Sequence, residues 1–451
     1  MDGIEEILFF STAKHEKQNL KANHHKMLFF LYEQIWGIAI PFLSRNPRIA
    51  EGFAQRTLRH PLPYADLWIQ SASVGEAWLT AEIIKNLHPH LPLNVLITSN
   101  TRQGIELLEK LIAETSFSSS VIGNVCTAYF PFDRPSLMKK AVKQVRPKLM
   151  ILLETEIWPG LLAALKQSGT RILILNGRIS PRSLQRYRLR PSVWKSLRPD
   201  QVLAVSLEDA ERFGLLFGRE NIGLMSNIKF DRIPLHMPGR VNENFIRQMI
   251  VHPFLVLGSV RREEEMDAEN IIRKVHTEMP ETVTGLFPRH FHRLEYWKKT
   301  LVRMCIPWCL RSGIKGPVSS GTVILWDTLG ELLSAYEAAD AAFVGGSLAP
   351  LGGQNFIEPL VSGLRPVIGP YWNDFAWVGR EIFDRGLVRI AETWKNAADF
   401  LIHDLSYPVS KASVRESARK YLEERRGGTA QACQVIERYA NECFWPARKG
   451  L

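Results

Sequence analysis

Two periods of hydrophobic spacing alternate along most of this chain. From Asp66 onward, short β-rich apolar runs (DLWIQS, NVLITS, TAYF, KLMILLE, RILILN, QVLAVS) are each followed by a stretch with helical spacing. After a break at about residues 231–244 (DRIPLHMPGRVNEN) the same order resumes with FLVLGS, VTGLF, TVILW, AAFVGG, RPVIG and LVRIA. Parallel strands need a crossover connection, and a helix is its usual form, so the alternation predicts parallel sheets covered by helices. We read an α/β chain of two Rossmann-like domains facing a central cleft, residues 49–236 and residues 237–451. The helical stretch Ser410–Cys443 either closes the second domain or crosses back to the first. Open α/β sheets bind ligands beyond the carboxyl ends of their strands, which puts the expected site in that cleft.

One apolar run precedes the sheets. Residues Met27–Leu43 (MLFFLYEQIWGIAIPFL) are 17 in number, a rise of about 26 Å against a hydrocarbon core of about 30 Å. Glu33, Gln34 and Pro41 interrupt the run, and Arg45, Arg48, Arg56 and Arg59 follow it. This pattern predicts a membrane-associated helix within residues 27–48, its basic flank on the cytoplasmic side; a buried first helix is the alternative. Residues 1–26 read as a polar extension, with Met1 or Met27 as the start. No small-residue cleavage site follows the run, which argues against a cleaved signal peptide.

Composition narrows the class. The 451 residues are 45% hydrophobic and 23% charged, a globular balance that excludes global disorder and a disulfide-stapled miniature fold. Five cysteines without a CxxC pair predict a reducing compartment and no zinc site. Net charge is +11, and the residues up to 236 hold 30 basic and 21 acidic side chains, so the basicity belongs to the first domain. Such a surface attracts anionic partners. RNP-type strings and C2H2 spacings are absent, so nucleic acid ranks behind phospholipid headgroups and phosphorylated substrates.

Candidate chemistry sits where strands end. In SASVGEAW, Ser73 and Gly75 let the chain turn after a strand and Glu76 opens the following helix. There it is either a cap with a depressed pKa or a general base. ETEIWP offers Glu154 and Glu156, NGRIS offers Arg178, and SNIKFD offers Lys229, each either satisfied in a structural ion pair or serving the site. In the second domain, FVGGSLAPLGGQNFIEP runs from a strand through Gly345, Gly346, Ser347 and Gly353 to a helix beginning near Asn355. Its free amides would face a phosphate, with Glu358 one turn in for ribose hydroxyls; purely structural glycine turns are the other reading. LGSVRREEE contributes Gly258 and Ser259, and FPRHFHR contributes Arg289 and His290. His290 and His292 are two residues apart and lack an HExxH context, so no metal site is expected. Six cations between 182 and 198 interleave with Tyr187, Trp194 and leucines, as a solvated basic helix or a membrane-facing surface.

In order, SASVGE, TSNTRQG, YFPFDRP, ETEIWP, NGRIS, NIKFD, FPRH, DTLGEL with YEAAD, and FVGGSLAPLGGQN with EP resemble the motif series of the 3-deoxy-D-manno-octulosonic acid (Kdo) transferases over about residues 27–440. The resemblance implies a GT-B glycosyltransferase that moves Kdo from CMP-Kdo to the tetraacylated, bisphosphorylated lipid A precursor (lipid IVA) with inversion, at the cytoplasmic face of the inner membrane. By that resemblance Glu76 is the catalytic base, and Arg178 and Lys229 face the cleft. Ser259, Arg289, Gly345, Gly346, Ser347, Asn355 and Glu358 stand at positions that match the CMP pocket; His290, Gly353 and Gln354 beside them, and Ser73 and Gly75 beside Glu76, are further substrate-binding candidates, and no cofactor or metal is needed. Gln354 and Tyr371 stand where the family usually has His, and Arg261 and Arg262 replace a Thr/His-containing run. Gln keeps a donor and an acceptor but carries no proton charge to a phosphate. A UDP-sugar transferase with a lipid acceptor, or a donor-binding inactive scaffold, are the competing readings.

Overall fold

The computed structural model describes residues 26–88, 92–114, 122–234 and 246–444. The chain divides into two units, Met1–Asp231 with Arg426–Leu451, and Arg232–Arg425.

In the first unit seven strands form one parallel sheet. They are β1 (Leu67–Ser71), β2 (Leu93–Ser99), β3 (Ile122–Tyr129), β4 (Leu149–Leu153), β5 (Arg171–Gly177), β6 (Gln201–Ala204) and β7 (Ile222–Leu224). Their order is β3-β2-β1-β4-β5-β6-β7. β1 and β4 are buried along their whole length, as strands covered by helices on both faces must be. The order reverses between β1 and β4, where Leu67 pairs with both Val95 and Leu149. Loops leaving neighbouring strands diverge at such a point, and here they are SASVGE and ETEIWP.

The second unit repeats the plan with β8 (Phe254–Val260), β9 (Val283–Pro288), β10 (Trp308–Leu310), β11 (Val323–Leu325), β12 (Ala341–Val344), β13 (Val367–Ile368) and β14 (Arg389–Ile390). The order is β10-β11-β9-β8-β12-β13-β14, and the switch falls between β8 and β12. Those strands deliver the SVRREE and GGS loops. All twelve expected strands are present; β7 and β10, three residues each, are additions at or near sheet edges.

The terminal helix Gly428–Phe444 corrects the expected extent of the second domain. Ala432, Cys433, Ile436 and Ala440 form an apolar stripe at helical spacing, buried in one core with Leu67, Ile69, Ile151 and Leu173 of the first unit. The carboxylate of Asp231 accepts from the amides of Gly427 (2.7 Å) and Thr429 (2.6 Å) and fixes the helix start. Gly428 permits this approach, since a Cβ there would lie 2.3 Å from the Ser226 carbonyl. The units part at Asp231, and the expected boundary at residue 236 lies outside the described residues.

A helix spans Lys26–Leu43, long and apolar enough to cross a membrane. One face is tied to the first unit. Tyr32 donates to Asp133 (2.9 Å), Glu33 pairs with Arg134 and accepts from the Ser136 amide (2.9 Å), and Trp36 packs on Phe132. The opposite face presents Met27, Phe30, Leu31, Ile35, Ile38 and Phe42 to the outside, Phe30 62% and Ile38 68% exposed. Buried Asp133 joins this helix to the next element, because its carboxylate also accepts from the Gly160 and Leu161 amides at the start of helix Pro159–Ser168. Burial pushes the Asp133 carboxyl up to about 7, against those hydrogen bonds.

The 182–198 stretch also differs from expectation. It forms two short helices, Pro181–Tyr187 and Pro191–Ser196, and Leu184, Val193, Trp194 and Leu197 point into the core of the first unit. Tyr187 meets Trp194 edge-on at 5.0 Å. Apart from Leu189, its apolar residues are therefore packed inside and its outer face is basic.

Candidate active site

Glu76 stands in the first turn of helix Val74–Asn86, directly beyond β1, and is 8% exposed. Its Oε2 accepts from the Ala72 amide (2.6 Å) and its Oε1 from the Ser73 hydroxyl (3.3 Å). These are cap interactions, yet they do not hold the carboxyl down. Burial first, then the neighbouring Glu156 and Glu154 charges, push it up to about 8 against the Ala72 and Ser73 hydrogen bonds. Of the two readings of Glu76, the cap with a depressed pKa is therefore not the one met. Gly75 is corrected: its φ is not positive, and a Cβ would meet nothing nearer than the Ser73 hydroxyl at 3.7 Å. The turn does not require glycine there.

Across the switch point, Glu156 accepts from Gln70 Nε2 (3.2 Å) and Trp158 Nε1 (2.8 Å). A chain of hydrogen bonds runs back from Gln70 through Thr98 (2.6 Å) to the Trp68 indole (2.8 Å), all buried. Burial raises the Glu156 carboxyl and the Glu154 charge adds to it, opposed by Trp158 and Gln70. Glu154 pairs with Lys229 at 2.7 Å, so the two carboxylates have separate partners. The Arg178 amide donates to the Glu154 carbonyl (3.4 Å), and the Arg178 side chain makes no ion pair with the described residues. Carboxylate and cation therefore converge at the carboxyl ends of β1, β4 and β5.

Two further observations mark this end of the sheet. Glu154 (φ 52°) and Asn176 (φ 54°) both hold left-handed backbone at the ends of adjacent strands, which costs non-glycine residues on the order of 1 kcal/mol each. Ser71 Oγ, Ser99 Oγ, Asn176 Nδ2 and Asn227 Nδ2 are buried without a hydrogen-bond partner among the described residues. Such groups await a ligand or water. Gln70 and Asn176 were not singled out in the sequence, although a glutamine inside a fully apolar strand was a readable signal.

In the second unit, Ser259 holds left-handed backbone (φ 57°) at the end of β8, and the Arg289 amide donates to the adjacent Val260 carbonyl (2.8 Å). Arg289 and His290 are exposed, and His290 stacks on His292. The glycine loop departs from expectation. Buried Glu264, from the RREE run, accepts from the amides of Arg261 (2.9 Å), Gly346, Ser347 (3.2 Å) and Leu348 (3.4 Å). A carboxylate of the chain itself thus holds the amides expected to cradle a phosphate. Gly345 is needed for this contact, because its Cβ would fall 2.4 Å from Glu264 Oε1. Ser347 is fully buried, its hydroxyl donating to Val344 (2.6 Å) and accepting from Gly369 (2.8 Å), so it joins β12 to the strand that follows.

Gly353 and Gln354 fold back through amide donations to Gly346 (2.8 Å) and Gly345 (3.1 Å), and Gln354 Nε2 lies over this turn. The next helix is only Ile357–Val361, so Glu358 lies at its second residue rather than one turn in. Asn355 Nδ2 donates to Glu358 Oε1 (2.9 Å). Of the expected pocket residues, Arg289, His290 and Asn355 are exposed, and Ser259, Gln354 and Glu358 are half-buried.

Residues 46–232 match the family of 3-deoxy-D-manno-octulosonic-acid transferases. A 3-deoxy-D-manno-octulosonic acid transferase of Bordetella pertussis is 29% identical over 398 residues, 85% of this chain and 90% of that protein. One of Haemophilus influenzae is 25% identical, covering 88% of this chain and 93% of its own. Among solved structures, a glycosyltransferase of Rickettsia africae superposes with a TM-score of 0.53 at 12% identity, over 85% of this chain and all of its own. It shares the GT-B fold.

Proposed function

We propose, from the premise that the chain belongs to the Kdo transferase family, that it is an inverting glycosyltransferase moving Kdo from CMP-Kdo to the lipid A precursor lipid IVA. The observation that carries the reaction is Glu76, a buried carboxyl pushed up to about 8 at the switch point of the first sheet. A base works best when its pKa lies near the working pH. Glu76 takes the proton of the acceptor hydroxyl as that oxygen bonds to the Kdo anomeric carbon. The bond from that carbon to the CMP phosphate oxygen breaks on the opposite face, and CMP leaves with the electron pair. Arg178 and Lys229 offer positive charge to the donor carboxylate, Lys229 exchanging Glu154 for it.

Ser73 and Gly75 leave room beside Glu76 for the acceptor. In the second unit we assign CMP to Ser259, Arg289, His290, Gln354, Asn355 and Glu358, with Gly345, Gly346, Ser347 and Gly353 shaping the loop. The phosphate is met by side chains, because Glu264 holds the loop amides. The route uses no cofactor.

Helix Lys26–Leu43 would lie along the cytoplasmic face of the inner membrane, its apolar stripe in the acyl boundary and Tyr32 and Glu33 on the protein side. The exposed cations of 182–198 would meet headgroup and acceptor phosphates. Transfer from CMP-Kdo generated in situ, inhibited by CMP and not by UDP, tests the donor. A Glu76→Gln variant that binds CMP but loses transfer at least about 100-fold tests the base. Inhibition by UDP alone, or near-normal transfer by Glu76→Gln, overturns the respective assignment.

A further inference from the structure

The first unit contains a cavity that this mechanism does not use. It measures about 710 Å³, within the usual range for small-molecule sites, and lies at the amino ends of β4 and β5. Five basic side chains line it, Lys139, Lys143, Arg146, Lys148 and Arg171, against one acid, Glu442. Val142, Pro147, Ala164 and Cys443 supply apolar wall. β4 separates Lys148 at this end from Glu154 at the other, so the cavity lies about 17 Å or more from the candidate active site.

The charge is not what the local structure needs. Elsewhere, several helix cations pair with an acid one turn away: Arg102 with Glu106, Lys110 with Glu114, Lys274 with Glu278, Arg419 with Glu423. Helix Pro135–Val145 (PSLMKKAVKQV) contains no acid. Lys139 and Lys143 face the cavity four residues apart with no partner among the described residues, an arrangement that costs about 0.2–0.5 kcal/mol. The helix C-terminus accounts for Lys143 and Arg146. It does not account for Lys139, and Lys148 and Arg171 come from strand starts. Arg171 is held at the rim by Asp200 (2.8 Å), which also takes Lys166 (3.3 Å).

We infer that this cavity is a binding site for a soluble ligand carrying two or more adjacent phosphates, either a nucleoside polyphosphate or an inorganic one. Convergent cations from one helix and two strand starts match a run of closely spaced negative charges, and the apolar wall leaves space for an attached ring. The inference is independent of the donor assignment, because it concerns the opposite end of the sheet.

The test is isothermal titration of the full chain in detergent at 150 mM salt, with saturating CMP present to occupy any donor site. Probes are CTP, ATP and sodium tripolyphosphate. Saturable one-site binding by at least one probe is expected, weakened about tenfold or more by Lys139→Glu/Lys143→Glu, two exposed substitutions, and less than twofold by the charge-matched control Lys395→Glu/Lys420→Glu. Binding by the nucleotides alone identifies a nucleotide source, and equal binding by tripolyphosphate an inorganic one. No saturable binding, or equal loss in both double variants, overturns the site. Unchanged melting of the double variants excludes unfolding as the cause.

Discussion

Replacing Glu76 with glutamine should stabilise the protein while abolishing its activity. In the folded state the carboxyl is pushed up to about 8, against an ordinary value of 4.5. Because the folded pKa is the higher one, the folded state binds more protons than the unfolded state between these values, and stability falls as pH rises through that window. At pH 7 the difference is worth on the order of 3 kcal/mol, from about 1.4 kcal/mol per pH unit above 4.5. Glutamine carries no charge, retains an acceptor for the Ala72 amide and removes this cost. For a unit of this size each kcal/mol shifts melting by about 2–4 °C, so the first unit should melt about 6–12 °C higher at pH 7. Thermal melts followed by tryptophan fluorescence from pH 5 to 8.5 would measure it. The gap between variant and wild type should shrink toward zero as pH approaches 4.5. A variant that melts with the wild type at every pH would refute the claim that burial, rather than capping, governs this carboxyl.

Other outcomes follow from the same structure. The transfer rate should rise about tenfold per pH unit below 8 and level off above it, since only ionised Glu76 accepts a proton; a flat profile from pH 6 to 8 would contradict this. Glu264→Ala strips the amides of Gly346 and Ser347 of their buried acceptor, and should cost about 3–5 kcal/mol in denaturant melts and weaken CMP binding. Asp133→Ala leaves the Gly160 and Leu161 amides unpaired and should cost about 2–4 kcal/mol by the same measurement. Phe30→Ser with Ile38→Ser should lower flotation with anionic liposomes without changing the melting temperature, because both face outward.

The parallel α/β plan was readable because buried strands such as KLMILLE are continuous apolar runs between helical periods. β7 and β10 were not, since three residues near a sheet edge carry no period. The destination of helix Gly428–Phe444 was left open for a similar reason: its stripe of Ala432, Ile436 and Ala440 says that it packs, not on which sheet. Among site residues, Glu76 was legible by its position after a strand, whereas its raised pKa depends on burial first and then on Glu156 and Glu154, brought there by β4. Glu264 was hidden in a run of three glutamates that reads as a solvated helix start. Only the pairing of β8 with β12 places it beneath the glycine loop. The aromatic residues of 182–198 read as a surface feature because the break at Arg190–Pro191, which turns Trp194 inward, has no periodic signature.

The central claim is most directly tested by mass spectrometry of lipid IVA incubated with CMP-Kdo generated in situ and either the wild-type chain or Glu76→Ala. The account predicts a mass gain of one or more Kdo units with the wild type and none with the variant. Equal gain with both would remove Glu76 from the chemistry. No gain with a folded wild-type chain that binds CMP would contradict the proposed transfer.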